Sequence, residues 1–585
     1  MPIPARWLIP DIDSQQAEAL AATLHIGLPV ARVLLAREIG DADHARRFLR
    51  PSLDDLHEPA KLRGMTEAVE RLSRAVRSGE KILIYGDYDV DGTTSVVILK
   101  KAIEMAGGAA SFFVPHRLRD GYGMRSEVVE KAAAEGVKLI ISVDTGIRAA
   151  EVVRRANELA IDVIITDHHL PEAELPPALA VLNPNRLDCA YPDKNLCGVG
   201  VAFKLVDALL SSLDWPPEKL RRVLASFLKL VAIGTVADVV PLMGENRVIV
   251  KHGLGGLGAV RNRGLRALLD VSGFTNGRVP SSTDVAFRIA PRMNAAGRMD
   301  TANAVIELFL TDDPRRAETL AGQLHELNGE RQLAEADVTR QIVEECVRVP
   351  VHDGQRVLVF AADNWHRGVL GIVASRLVER FHRPVIVLSR NPEDGLAQGS
   401  GRSIRAFHLL EALESMPELF ERFGGHRQAA GLTIACDRLD LFRERLNEFA
   451  LARLSLDDLA PQLEIDAPLE FREINERSVE EVLSLAPFGC GNPQPLFAAF
   501  DVEVAGPPVV WKEKHLRVTL RQNGRTLSLK AWNFAERAGE LPAGARVDVA
   551  FTLENDAYAA AQGSPGWAAV LRDCRPASPP LRERL

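Results

Sequence analysis

Three apolar runs in the first third of the chain are separated by helix-length segments: KILIY (81–85), KLIISV (138–143) and IDVIIT (161–166). Short continuous apolar runs suit buried parallel strands, because both faces of such a sheet are covered. ASFFVP supplies a fourth. TTSVVILKKAIEMAG, SEVVEKAAAEG and IRAAEVVRRANELA between them read as helices, as do VGVAFKLVDALLSSL and LRRVLASFLKLVAIGTVADVV further on. Alternation of this kind predicts an α/β fold with a mostly parallel sheet.

The residues just past each run narrow the chemistry. The first run leads into Asp87, Asp89 and Asp91, the second into Asp144, the third into Asp167, His168 and His169. Parallel strands aim their carboxyl ends at one edge, where ligands of open α/β sheets bind. A fourth acid, Asp238, sits inside the apolar LVAIGTVADVVPL, where an unpaired carboxylate is costly. Any one Asp after a strand reads as a turn former or helix cap. Four segments converging on one edge do not. Crowded carboxylates have raised pKa values unless a cation sits among them.

Carboxylate and imidazole without thiolate favour Mn²⁺ or Mg²⁺ over structural zinc. The acids exceed what one ion needs, so two ions are expected, with Asp144 as the best bridge. Two such ions activate water and clamp the attacking and leaving oxygens of phosphoryl transfer. Adjacent side chains diverge, so one of His168 and His169 is the expected ligand. The other should contact phosphate or support the ligands from behind.

At 585 residues several domains are expected. Residues 1–75 read as a helical cap with Pro-marked breaks, and 76–310 as the catalytic α/β domain. Thr311-Asp312-Asp313-Pro314 opens a very long helical pattern, a bridge over 311–348. A second α/β domain is expected over 349–458, with RVLVFAA and RPVIVLS as strands and Gly-rich loops after them. Over 459–575, HLRVTLRQ and RTLSLKAW flank an Asn523-Gly524 turn, a strong hairpin signal. That segment reads as a small all-β domain, an OB-like barrel or a sandwich fragment. Its basic residues, Lys514 among them, are interleaved with Trp511 and Trp532, which suits stacked bases and neutralised phosphates of a single strand. Residues 576–585 read as a frayed tail.

A net charge of −8 is no footprint of a globally basic nucleic-acid binder, but local patches matter more than the sum. The six cysteines form no CxxC pair, against a zinc ribbon or disulfide framework and in keeping with a reducing cytoplasm. The N-terminus lacks a basic start and a long apolar core, so no signal peptide is expected. No run reaches the roughly 18 apolar residues of a membrane span.

The ordered motifs YGDYDVDGTTS, SVDTGI, TDHH and GTVADVVPL resemble the DHH phosphoesterase superfamily, and within it the bacterial single-strand-specific 5′→3′ DNA exonucleases. The resemblance covers nearly the whole chain. It implies metal ligands at Asp89, Asp91, Asp144, His168 and Asp238, with Asp87 and His169 close by. Asp91, His169 and His426 would carry the chemistry. NWHRGVLGIVASR, GSGRSI and FGGHRQAAG are similar to the DHH-associated domain. That implies Ser400 and Arg402 on the 5′ phosphate, His426 near the reacting phosphate, and Arg117 (with Tyr122 nearby) and Arg298 as further phosphate contacts. Pyrophosphatase relatives carry a His where Tyr85 stands here. The resemblance further implies 5′→3′ direction, work in recombinational and mismatch repair beside a helicase and a single-strand-binding protein, and a monomer. The rivals are a DHH enzyme for short oligonucleotides or cyclic dinucleotides, and a non-catalytic replication scaffold. The β domain stands against the first, and the intact ligand set against the second.

Overall fold

The computed structural model describes residues 5–117, 119–121, 123–563 and 565–577. Tyr122 and the tail from 578 on lie outside the described residues. The chain forms two compact units. One comprises Met1–Leu56, Pro241–Lys251 and Pro461–Leu585; the other His57–Val240 and His252–Ala460.

In the second unit a five-stranded sheet runs in the order Ala110–Phe113, Lys81–Tyr85, Val137–Val143, Asp162–Thr166, Ala180–Leu182, every pair parallel. Leu83, Ile140, Val163 and Ile165 bury one face against helices Ser126–Ala134 and Ala150–Glu158. Helices Val90–Met105 and Gly198–Ser211 lie on the sheet as well, and Pro217–Ala237 packs on both of them. The three acid-tipped strands are neighbours, so their carboxyl ends share one edge.

The long helix spans Pro314–Arg348, with Pro at its start and Asp313 capping the Arg315 amide at 3.0 Å. Its first half packs on Arg263–Val271 and Ala290–Met299, and its second half buries Val338 and Ile342 against Leu370–Phe381. It therefore bridges two cores. The second sheet has the order Phe420–Gly425, Ala429–Ala435, Leu396–Arg402, Val385–Asn391, Leu358–Asp363; only the last pair is parallel.

Here the sequence expectation is corrected. The stretches expected as Gly-rich loops, GSGR and most of FGGHRQAAG, lie in strands. Their glycines answer to close backbone approach: a β-carbon on Gly399 would run into the Val387 carbonyl of the neighbouring strand.

In the first unit, strands Leu496–Val504, His515–Gln522, Arg525–Ala531, Arg546–Asn555 and Trp567–Pro576 close a barrel. In chain order their neighbours run 1-2-3-5-4-1, with Leu496–Val504 pairing both His515–Gln522 and Arg546–Asn555. That closure excludes the sandwich alternative. The expected 1–75 cap divides. Arg6–Leu8 pairs in parallel with Gln462–Glu464, and Val30, Leu34 and Phe48 share a core with Phe497 and Phe551. Helix Met65–Ser78 instead packs on Ala180–Leu182 and Gly198–Ser211 in the other unit. Apolar residues at helical spacing say that a face is buried, but not against what.

Candidate metal centre and phosphate cradle

The loop after Lys81–Tyr85 turns directly into helix Val90–Met105. Asp89 is the helix cap and accepts from the Gly92 amide at 2.9 Å. Gly92 is required there, since a β-carbon would lie 2.6 Å from the Asp87 carbonyl. Asp91, in the first turn, points at the N-terminus of helix Gly198–Ser211. Its Oδ2 accepts from the Gly198 amide at 2.6 Å and its Oδ1 from Val199 at 2.7 Å. A helix N-terminus favours a carboxylate in this place.

Asp144 follows Val137–Val143 with φ 60°, a left-handed conformation uncommon outside glycine. Asp238 caps the C-terminus of Pro217–Ala237. Around His168 Nε2 stand Asp144 Oδ1 at 3.2 Å, Asp238 Oδ2 at 3.7 Å and Asp91 Oδ2 at 3.9 Å. Asp91, His168 and Asp238 each present an atom within 4.8 Å of the others, and so do Asp87, Asp89 and Asp144. Asp144 also groups with His168 and His169, so Asp144 and His168 together link the two clusters.

The electrostatics favour a cation. Burial, then Asp89, lifts Asp91 to about 7; burial, then Asp91, lifts Asp238 to about 9. Asp87 and Asp144 are also pushed well above the carboxylate range, chiefly by burial. His168 falls to about 4 through burial and His169, leaving a neutral imidazole. Asp87 Oδ1, His168 Nε2 and Asp238 Oδ2 are buried without a hydrogen-bond partner. Buried carboxylates in this density are costly unless neutralised. The residues fit two oxygen- and nitrogen-ligated divalent cations.

Asp167 holds the second histidine. Its Oδ1 accepts from the His168 and His169 amides and, at 2.7 Å, from His169 Nδ1; its Oδ2 accepts from Ile147 N. Burial alone would raise this carboxyl, but the bond and charge of His169 hold it below its usual range. Burial alone would depress His169; the Asp167 bond outweighs it and raises the imidazole. Asn183 and Asn185 fix the backbone, donating to the carbonyls of His169 and His168 at 2.9 and 2.6 Å. Sequence reasoning gave no role to Asp167 or the Asn183-Pro184-Asn185 turn. An Asx-type turn beside the histidines was the available signal.

A cationic cradle adjoins the acids. Arg298 donates to the Gly368 carbonyl at 3.1 Å, and its neighbour Gly297 abuts the Tyr88 carbonyl. Arg117 stacks over the Tyr88 ring at 5.0 Å. Burial, then Arg117, Arg331 and Arg402, lowers Arg298 to about 9, so these cations crowd one place. Arg402 and Ser400 face Gly371 at the start of helix Leu370–Phe381, where a β-carbon would lie 2.9 Å from the Arg402 guanidinium and 3.6 Å from Ser400 Cβ. Buried guanidiniums with few carboxylates around a helix N-terminus suit a phosphate. His426 lines a cavity of about 1120 Å³ together with His168, His169 and Thr145.

In the barrel, Trp511, His515 and Trp532 form a cluster with centroids 5.0 to 5.7 Å apart. Trp532 is 47% exposed, so it is no core residue. Lys514 lies in the turn beside them. Lys530 is paired with Asp556, and Arg521 with Glu503 at 3.5 Å.

Acids on adjacent parallel strand ends, joined by a long helix to a second domain of close-packed glycine strands, define a DHH phosphoesterase. Residues 81–235 match the model of the DHH family N-terminal domain, 354–452 the DHHA1 domain and 465–563 the RecJ OB domain. The single-stranded-DNA-specific exonuclease RecJ of Bacillus subtilis is 38% identical over 545 residues, 93% of this chain and 68% of that protein. Its counterpart in Dickeya dadantii is 40% identical over 501 residues, 83% and 85% of the two chains. The crystal structure of RecJ with Mn²⁺ from Thermus thermophilus has a TM-score of 0.83 at 32% identity, covering 98% of this chain and 80% of that one; the Mg²⁺ form has 0.77 at 30%, covering 98% and 79%. The chain belongs to the RecJ family. Among the described residues no single helix is long and apolar enough to cross a membrane.

Proposed function

We propose that the chain is a metal-dependent exodeoxyribonuclease that releases mononucleotides from the 5′ end of single-stranded DNA. The observation that carries this reading is the adjacency of the carboxylate–histidine cluster and the arginine cradle, joined through Asp87, Tyr88 and Arg298. Asp87, Asp89, Asp91, Asp144, His168 and Asp238 would hold two divalent cations, Mn²⁺ or Mg²⁺. When bound, such ions supply a water-derived nucleophile and offset charge on the phosphate.

The chain's own residues do the rest. Arg117, Arg298, Ser400 and Arg402 grip the terminal 5′ phosphate and so set the polarity. The Gly198 and Val199 amides fix the Asp91 carboxylate. Asp167 keeps the His169 proton on Nδ1 and its ring charged more readily, so that Nε2 can donate to the phosphate or the departing 3′ oxygen. His426 faces the same cavity and offers a second donor. In the barrel, Trp511 stacks bases and Lys514 neutralises phosphate.

Functionally, residues 76–310 serve as the catalytic domain, 311–348 as the bridge, 349–458 as the substrate-binding domain and 459–575 as the strand-binding domain. The setting is recombination and repair in the cytoplasm, as a monomer. A helicase would supply single strands, and a single-strand-binding protein would share them.

The test uses single-stranded DNA blocked at one end or the other, with Mn²⁺ or Mg²⁺. Mononucleotide release abolished only by the 5′ block is expected. Release abolished only by the 3′ block would sink the cradle assignment. Binding without release would sink the enzyme.

A further inference from the structure

The long helix Pro314–Arg348 buries apolar residues toward both ends, Leu320, Ala321 and Leu324 in its first half and Val338 and Ile342 in its second. Between them, at helical spacing, the buried face carries Asn328, Arg331 and Glu335, exposed by only 4, 8 and 1%. A buried ion pair contributes little to stability beside apolar residues of the same volume, so packing alone does not account for this one. Nothing in the reaction above uses it.

The polar stretch lies where the helix passes from one domain to the next. Segment Arg367–Val369 packs both on this helix and on Ala290–Met299, the helix of Arg298. Arg298 donates to the Gly368 carbonyl within that segment, and the Trp365 indole just before it donates to Gln341 of the long helix at 3.0 Å. Arg331 stands with Arg117 and Arg402 among the cations that act on Arg298. It therefore backs the phosphate cradle from the side of the long helix.

Arg331 is held from its own helix. Its Nη1 donates to Glu335 Oε2 at 2.9 Å and its Nη2 to Asn328 Oδ1 at 3.1 Å, while its Nε is buried without a hydrogen-bond partner. Glu335 also pairs with Arg376 of helix Leu370–Phe381. Near the start of that helix, Gly371 lies against Ser400 and Arg402. One carboxylate thus faces two guanidiniums, and the cluster keeps a positive charge. Away from water such a charge reaches further than it does at a surface. A 5′-phosphate end brings roughly −1.5 to −2 charges to the cradle, and a 5′-hydroxyl end brings none.

We propose that Arg331 and Glu335 are positioning residues that set how strongly the cradle prefers a 5′-phosphate over a 5′-hydroxyl end. Arg331 adds positive potential behind Arg298; Glu335 keeps Arg331 in place and limits that potential. The inference rests on the exonuclease reading. Neither residue touches the phosphate, so each acts through Arg298 and the field around it.

The test measures kcat/KM of the full chain with Mn²⁺ on one single-stranded oligonucleotide, 5′-phosphorylated or 5′-hydroxyl, and takes the ratio of the two. Loss of folded protein cancels in that ratio. Arg331→Gln should lower it about tenfold, through a higher KM on the phosphorylated end, and Arg331→Lys, which keeps the charge, should hold it within about threefold. Glu335→Gln keeps an acceptor for Arg331 and removes the counter-charge, so the ratio should rise about threefold. With both glutamines the net charge is restored, and the ratio should return to within about threefold of the parent. A purely structural pair would instead move both single variants the same way. A parent that leaves the phosphorylated strand uncut overturns the exonuclease reading, and a parent ratio near one overturns the cradle; either takes this inference with it. A cutting parent with a clear preference, beside an Arg331→Gln ratio that is unchanged or a Glu335→Gln ratio that does not rise, overturns this inference alone.

Discussion

Gly198 faces Asp144 so closely that a β-carbon on it would lie 2.5 Å from Asp144 Oδ1 and 2.6 Å from its Cβ. The same residue donates its amide to Asp91 at 2.6 Å. One glycine thus sets the approach of a helix N-terminus to carboxylates from two strand ends. Gly198→Ala should displace Asp144, whose left-handed backbone leaves it little room to adjust. Displacements near 1 Å in a reacting assembly cost on the order of 10²-fold. The expected result is a loss of kcat of that size, with a cooperative melt retained. Unchanged kcat across a Mn²⁺ titration would show that the packing here is slack.

Asp167 is set apart from the other carboxylates by its 2.7 Å bond to the His169 imidazole, made beside three backbone amides. Asp167→Asn keeps the shape and removes the charge that raises the His169 imidazole. The His169 pKa should therefore fall, and the alkaline limb of the kcat profile should move to lower pH. Losing one charge-assisted bond is worth roughly 1.5–3 kcal/mol, or about 10–100-fold in kcat at alkaline pH. A profile that drops without shifting would mean that Asp167 only shapes the loop.

The sheet edge was legible because parallel strands are bare apolar runs, so the acids after Tyr85, Val143 and Thr166 stood out. The role of Asp167 was not, because nothing in the sequence says that an Asp beside two histidines bonds one of their rings, as Asp167 does to His169 Nδ1. Strand Leu396–Arg402 was hidden for another reason. Gly399 and Gly401 mimic a loop in composition, yet they are glycine because Val387 and Leu409 come so near. Long-range pairing was least visible. Nothing local in Arg6–Leu8 announces Gln462–Glu464, more than 450 residues on.

The carboxyl cluster should make the metal-stripped protein sensitive to alkali. Asp87, Asp91, Asp144 and Asp238 all have folded pKa values above their unfolded value of 3.8. Between that value and the folded one, the native state holds protons the unfolded chain has lost, so stability falls as pH rises. The window opens near pH 4 and extends to about 7 for Asp91 and about 9 for Asp238. Melting of chelated protein should therefore drop from about pH 5.5 to pH 8.5 more steeply than melting of an Asp238→Asn variant. Mn²⁺ should remove most of the difference, because metal replaces the protons. Parallel slopes for the two chelated proteins would place the cluster's protons elsewhere.

Trp532 follows strand Arg525–Ala531 next to His515 and Trp511, and nearly half its surface is open. An exposed indole edge-on to a second indole offers a flat face on which a base can stack. On the proposed strand-binding reading, single-strand bases would stack there, at roughly 1–3 kcal/mol per base. Trp532→Ala should then raise KM for a long single strand about 5–100-fold. Its kcat should stay the same, since the substitution touches no residue of the metal centre. A trinucleotide, too short to need the barrel's grip, should be cut by both proteins alike. The contrast between long and short substrates separates strand binding from a folding defect, which would lower both. A KM that rises equally for the trinucleotide would remove Trp532 from the strand-binding face.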